Sequence, residues 1–382
     1  MISSPLQCES DFLPWLRQVL GDPSLEQYQL DRLIPRRGPH DLRILVSNSS
    51  NDFHSFCFQI EPTNNNPEAY PLGSSQLVYR DSETELVLKI SAALDEQCFE
   101  RISQVCGIAV KEAQLLSYSP ERRAVIHYSL CDGSHAIGKL YRHSAAKPSY
   151  EIAQKLSSTH LADSLVTALD YFEDLELILW KEATGKLLSD LFDTSDYPAA
   201  LRSTGTTLRQ LHDHPVNATE NAATLGDELK TIDKQLERLF GLFPEKDLDP
   251  LRQLYQLLQQ HYKSYQAINT CWVHGDFHDR QLIFQDEQPV ILDLDGVCVG
   301  DPVIDVGNFL AHIDFRLAFE QSDQEAASFH DQFRQGYQLA TNERGVNLSH
   351  AISLLRNAAL YLLIPDRCQR LTSACRKIVA RL

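Results

Sequence analysis

What most constrains this chain is a break in its helical spacing. From about residue 197 to 266, leucines recur at three- and four-residue intervals, as in LKTIDKQLERLFGLF and LRQLYQLLQQHY, and helical spacing returns over 303–382. Between those blocks stand CWVHGDFHDRQLIF (271–284) and ILDLDGVCVGDPVIDVGN (291–308). Two His, two Asp, an Arg and a Gln crowd residues 274–281. Polar groups packed between apolar runs are costly to organise, so they either sit loosely on a turn or assemble a site.

CWV, QLIF and PVILDLD read as short strands, with QLIF and VILD paired through the turn QDEQP. That hairpin folds Asp293 back beside Gln281 and leaves Asp276 at the preceding turn. Two oxygen ligands on adjacent strands, with a third carboxylate close by, suit Mg²⁺ holding a phosphate chain, because Mg²⁺ takes one or two protein oxygens and fills its octahedron with phosphates and water. Phosphoryl transfer then needs cations on the phosphates and one carboxylate to orient the attacking hydroxyl.

Elsewhere, FHSFCFQI (53–60) alternates like a strand, EPTNNNPEAYPLGSSQ (61–76) reads as a loop, and ELVLKI (85–90) as a strand before a helix reaching about 105. AQLLSY (113–118), AVIHYSL (124–130) and HAIGKLYR (135–142) predict an antiparallel meander, followed by a helix over 149–158. LELILWKEATGKLLSDLF (175–192) reads as a strand, a bend at Gly185 and a helix. The expected fold is α+β with two lobes, β-rich in front and helical behind, hinged near 180–185. The expected division is a cap over 1–105, a lobe over 106–182 and a helical lobe over 183–382.

HGDFHDRQ followed by LDLD…GDPVIDVGN resembles the catalytic loop and metal-binding segment of the aminoglycoside phosphotransferase and choline kinase superfamily. The resemblance implies a protein-kinase-like bilobal fold and a transferase that uses ATP and Mg²⁺. It implies Asp276 as catalytic base, Gln281 and Asp293 as Mg²⁺ ligands, and His274 and Asp305 as braces of the loop. The superfamily usually has Asn where this chain has Gln281; maltokinase- and glucosamine-kinase-like sugar kinases also carry Gln. A kinase-like chain needs a third-strand lysine for the α/β-phosphates, and Lys139 stands in place. Glu151 is the first acid after it on a helix, Glu182 lies in a linker that would meet adenine, and Arg122 and Arg123 would replace backbone amides as phosphate contacts in the glycine-free loop SPERRA. Asp295 is either a second metal contact or a structural acceptor. His278 and Asp279 are expected to face solvent or substrate.

The implied reaction is phosphorylation of a hydroxyl on a small polar molecule, in the sugar, amino-sugar or aminoglycoside class. Residues 161–220 carry eleven acids against four bases, which either complements a cationic acceptor or solvates helix faces. The alternative is a catalytically weak, pseudokinase-like binding protein. A net charge of −17 argues against nucleic acid and anionic membrane as partners. Nine scattered cysteines without a CxxC pair read as reduced thiols, the N-terminus lacks a signal-peptide pattern, and AALYLLIP is too short to span a bilayer; a cytoplasmic protein is expected. His274 and His278 have the spacing of a helical metal pair, yet His212, His214 and His312 do not build the further clusters a metallophosphoesterase needs.

Overall fold

Strand alternation decides the front of the chain. In the computed structural model the described residues are 28–35, 41–48, 53–59, 76–80, 85–119, 122–142, 146–216, 222–239, 245–267, 269–285, 287–319, 326–338, 342–360 and 365–382. β1 (Tyr28–Pro35), β2 (Asp41–Asn48), β3 (Phe53–Gln59) and β4 (Gln76–Arg80) form an antiparallel meander in that order. The strand expected at 53–60 is β3. The loop expected at 61–76 lies outside the described residues except for Gln76.

ELVLKI is not a strand. It begins helix α1 (Glu85–Ala93), whose buried residues Leu86, Ile90 and Ala93 fall at i, i+4 and i+7. A six-residue apolar run fits either period, and burial of one helical stripe decides between them. Helix α2 (Glu96–Cys106) follows, capped by Asp95, whose carboxylate accepts the Cys98 amide at 2.9 Å.

The expected meander is present as β5 (Val110–Ser119), β6 (Arg123–Leu130) and β7 (His135–Tyr141). On β6, Ala124, Ile126, Tyr128 and Leu130 are buried in strict alternation, and the Tyr128 hydroxyl donates to Ala93 O at 2.9 Å. Helix α3 (Ala146–Ser157) precedes β8 (Ala168–Phe172) and β9 (Leu177–Lys181), which complete a five-stranded sheet in the order β5-β6-β7-β9-β8.

After the bend at Gly185, the helix expected to reach 192 is replaced by a two-residue strand, β10 (Lys186–Leu187), and a 3-10 turn at Leu188–Leu191. Asp, Ser and Thr in SDLFDTSD compete for the backbone there: Thr194 Oγ1 donates to Leu191 O at 2.7 Å. Helix α4 (Tyr197–Asp213) starts beyond it, followed by α5 (Leu225–Leu239) and α6 (Glu245–Lys263).

Then come β11 (Cys271–Val273), β12 (Leu282–Gln285), β13 (Gln288–Ile291) and β14 (Cys298–Gly300). Helices α7 (Val303–Phe319), α8 (Ala326–Tyr337), α9 (Glu343–Leu360) and α10 (Pro365–Val379) close the chain. Helix α9 is buried on nearly every side, from Gly345 to Ala359, which makes it a central helix and not a surface one. Each of its buried Leu and Ile side chains contributes ~1.5–3 kcal/mol.

Contacts divide the chain into two compact units. The first takes the described residues of Met1–Ala145 with Phe172–Leu179 and Lys234–Pro250; the second takes Ala146–Tyr171, Trp180–Asp233 and Leu251–Leu382. Among the described residues no helix is long and apolar enough to cross a membrane.

Candidate active site

Two antiparallel pairs set the site in the second unit. β11 pairs with β14, and β12 with β13 as the sequence predicts, so the polar segments 274–281 and 292–297 run side by side. Gln281 O accepts the Leu292 amide at 2.8 Å, and His274 Nε2 donates to Leu292 O at 2.8 Å. That bond fixes the tautomer: Nδ1 of His274 is left as the acceptor for the Asp276 amide, 3.3 Å away. Gly275 has φ +79°, and a Cβ there would lie 2.7 Å from Gly296 O, so only glycine fits this crossing.

Asp305, in the first turn of α7, anchors the loop. Its Oδ2 accepts the His274 amide at 2.6 Å and its Oδ1 accepts the Gly275 amide at 2.8 Å. His212 of α4 reaches the same carboxylate through Nε2 at 3.0 Å, and its Nδ1 meets the Tyr337 hydroxyl at 2.7 Å. Asp305 and His274 are fully buried, so this is the bracing expected of them. Asp301 sets the start of α7: Oδ1 accepts the Val303 amide at 3.2 Å and Oδ2 accepts the Tyr265 hydroxyl at 2.6 Å.

Asp276 leaves this braced loop with its carboxylate 58% exposed, 3.8 Å from His278 Nε2 and 3.9 Å from an Arg356 guanidinium nitrogen. Gln281 and Asp293 come together, Gln281 Nε2 lying 3.4 Å from Asp293 Oδ2. Turning the Gln281 amide over presents its oxygen beside that carboxylate, so that the two oxygens can share one cation. Asp293 has φ +53° and ψ +66°, a left-handed conformation that costs a non-glycine residue and that recurs where a side chain must be aimed. The donors are hard oxygens, as a divalent magnesium-like ion requires. Asp295 accepts from Ser149 Oγ at 3.1 Å.

Three contributors escaped the sequence reading. Asn308 Nδ2 donates to Phe277 O at 3.0 Å, tying the loop to α7. Arg356 of α9 donates to Asn308 Oδ1 and to Glu228 Oε2, each at 2.7 Å, which holds its guanidinium beside Asp276. His212 is the third. Asn308 closes the motif GDPVIDVGN and was visible there; His212 and Arg356 carried no local signal.

Of the two residues expected to face solvent or substrate, Asp279 is turned away from solvent and His278 only partly so. Asp279 is buried and accepts from Arg316 Nε at 3.0 Å, while the His278 ring is half-buried and stacks on His312 at 4.5 Å. Burial keeps the His312 imidazole well below the usual histidine range, with the adjacent His278 adding to it. Burial acts to raise the Asp279 carboxyl, but the His278 hydrogen bond and the Arg316 charge outweigh it and hold it at about 2, below the ordinary 3.8. A depressed folded-state value stabilises the fold above the unfolded-state pKa, and that contribution is lost as pH falls from about 4 through 2. Acid titration of stability is therefore expected to show a component on the order of 2 kcal/mol in that window that Arg316→Met diminishes.

In the first unit, β6–β7 register puts Arg123 opposite Tyr141 and Val125 opposite Lys139, so Arg123, Val125, Ile137 and Lys139 share one sheet face. Lys139 is buried, with Nζ 5.5 Å from the Tyr141 ring centroid. In the second unit, Glu151 lies exposed on α3 and Glu182 half-buried just past β9.

A model of the family described as "Phosphotransferase enzyme family" matches residues 69–345. Solved structures agree on the fold. A thermostable mutant of aminoglycoside phosphotransferase APH(4)-Ia is 15% identical with a TM-score of 0.55, covering 74% of this chain and 98% of that one. Amicoumacin kinase hAmiN, in complex with AMP-PNP, Ca²⁺ and Ami, is 14% identical at TM-score 0.53, covering 77% and 96%. Spectinomycin phosphotransferase APH(9)-Ia, in complex with ADP and spectinomycin, is 12% identical at TM-score 0.52, covering 75% and 93%. The fold is that of these protein-kinase-like enzymes. No curated protein matches the chain.

Proposed function

The chain belongs to the phosphotransferase enzyme family, and from that premise we propose that it moves the γ-phosphoryl group of ATP to a hydroxyl of a small polar molecule of the sugar, amino-sugar or aminoglycoside class. The observation that carries this reading is the adjacency of Gln281 and Asp293 beside the loop that Asp305 pins and Asp276 tips. AMP-PNP or ADP, and the spectinomycin and hygromycin B held by structures of the same fold, support the donor and the acceptor class.

Gln281 and Asp293 would hold Mg²⁺, which would supply charge neutralisation on the nucleotide's phosphates. Asp276 accepts a hydrogen bond from the acceptor hydroxyl and takes its proton as the new O–P bond forms and the bond to the β-phosphate oxygen breaks, releasing ADP. Arg356 and His278 flank the Asp276 carboxylate at 3.9 and 3.8 Å and help to orient it. Lys139 and Arg123, on one sheet face, meet the phosphates. The backbone around Glu182 meets adenine. The corresponding division is a cap over 1–105, a nucleotide lobe over 106–182 and a substrate lobe over 183–382.

ADP release measured across a panel of sugars, amino sugars, aminoglycosides, choline and homoserine tests the proposal. Turnover with sugar-type acceptors is expected, with Asp293→Ala raising the Mg²⁺ concentration needed for half-maximal rate at least tenfold. Turnover confined to choline or homoserine would reject the acceptor class, and an unaltered Mg²⁺ requirement in Asp293→Ala would reject the ligand assignment.

A further inference from the structure

A second cluster of ligating side chains stands apart from the catalytic loop. Asp314 of α7, His330 of α8 and His350 of α9 converge from three helices. His350 Nε2 lies 2.8 Å from Asp314 Oδ2, and His330 Nε2 lies 3.1 Å from Asp314 Oδ1. Both imidazoles thus present the same nitrogen to one carboxylate, one to each oxygen, and the ligating atoms all fall within 4.8 Å of one another. The three residues line a cavity of ≈ 700 Å³ walled by α7 to α10, to which no residue of 271–300 contributes.

Hydrogen bonding alone does not account for this arrangement. His330 Nε2 is buried, yet among the described residues it makes no bond of hydrogen-bonding geometry, although it sits at 3.1 Å from a carboxylate oxygen. A buried polar nitrogen aimed at an anion without a proper bond is costly, and a cation placed between them relieves it. Two imidazoles and a carboxylate are the donor set that borderline divalent ions such as Zn²⁺ take when three protein ligands leave a position open. A tetrahedral ion with bonds of ~2.0–2.1 Å holds its ligand atoms ~3.3 Å apart. The N–O separations of 2.8 and 3.1 Å, one to each oxygen of the carboxylate, lie within a few tenths of an ångström of that value, and the ligating atoms all lie within 4.8 Å of one another.

We infer that Asp314, His330 and His350 form a binding site for a divalent transition-metal ion of the Zn²⁺ class, with its open coordination position reached from the cavity between α7, α8, α9 and α10. Rooted on three helices, the ion ties α8 to the buried pair α7 and α9. The site is independent of the nucleotide Mg²⁺, which needs phosphate oxygens to complete its shell.

Co²⁺ serves as the probe, with the whole 382-residue chain and no nucleotide present. Dialysis followed by elemental analysis is expected to find one Co²⁺ per chain, with the visible absorption of a low-coordinate site, and with a Tm that rises with Co²⁺ concentration. His330 is the least enclosed ligand, its side chain being 15% exposed, so His330→Ala is expected to fold and to lose the bound ion, the absorption and the Tm response together. Asp314→Asn is expected to do the same, while Asp293→Ala retains all three. Absence of stoichiometric Co²⁺, or Co²⁺ retained undiminished by folded His330→Ala, overturns the inference. Loss of the ion in Asp293→Ala but not in His330→Ala would place the ion in the catalytic loop and overturn it equally.

Discussion

Asp276→Asn is expected to lower kcat for acceptor phosphorylation by ~10²–10⁴ while leaving KM for ATP unchanged. The substitution keeps size and shape, so it alters neither the Asp276 amide bond to His274 Nδ1 nor the brace behind it. It removes the negative charge that accepts the hydroxyl proton, and an amide oxygen is far too weak a base to replace it. Because the carboxylate is largely exposed in this structure, stability is expected to change little. The split between an unaltered KM for ATP and a collapsed kcat distinguishes a group acting on the acceptor from one that merely shapes the nucleotide site. A variant with wild-type kcat would remove Asp276 from the chemistry.

The second large effect falls on stability. Asp305→Ala leaves the His274 and Gly275 amides and the His212 ring nitrogen without their acceptor, and the bonds of His274 and His212 are buried away from water. Unsatisfied buried donors cost ~1–3 kcal/mol each, and breaking a buried charged partnership costs ~3–5 kcal/mol, so a total of several kcal/mol is expected. For a domain of this size that corresponds to a Tm lowered by on the order of 10 °C. Asp305→Asn retains one acceptor oxygen and should fall between the two. Thermal melting of the three proteins gives the order; a Tm for Asp305→Ala within a degree or two of wild type would mean the loop is held by something else. Activity measured below the lowered Tm should also fall, since Asp305 positions the loop that carries Asp276.

The segment 271–308 was legible because its chemistry is contiguous: strand, polar turn, strand, turn and strand follow in one run, and pairing β12 with β13 is enough to bring Gln281 beside Asp293. The brace from Asp305, one short strand further along, was implied by the resemblance of GDPVIDVGN to the superfamily's segment. Arg356 and His212 were not, because their roles come from helices that pack onto the loop from 80 residues downstream and 62 residues upstream of Asp276 and His274, and a lone Arg or His on a helix looks the same whether it meets solvent or a carboxylate. Asp279 misled for a related reason: in a polar loop its letter predicts exposure, and only the arrival of Arg316 from α7 makes its burial affordable. ELVLKI shows the limit of periodicity, since six residues cannot separate a half-turn excess from an alternation, and the buried stripe Leu86, Ile90 and Ala93 appears only once the sheet is in place. The Gly185 region was read correctly as a bend but not as the end of regular structure, because the competition from Ser189, Asp190 and Thr194 side chains is decided by individual hydrogen bonds.

A crystal structure with a non-hydrolysable ATP analogue and Mg²⁺ tests the central claim most directly. The account predicts one Mg²⁺ ligated by the Gln281 amide oxygen and an Asp293 carboxylate oxygen, bridging to the phosphates, with the Asp276 carboxylate facing the γ-phosphate. Density for the ion on other side chains, or a triphosphate tail that Asp276 does not face, would contradict it.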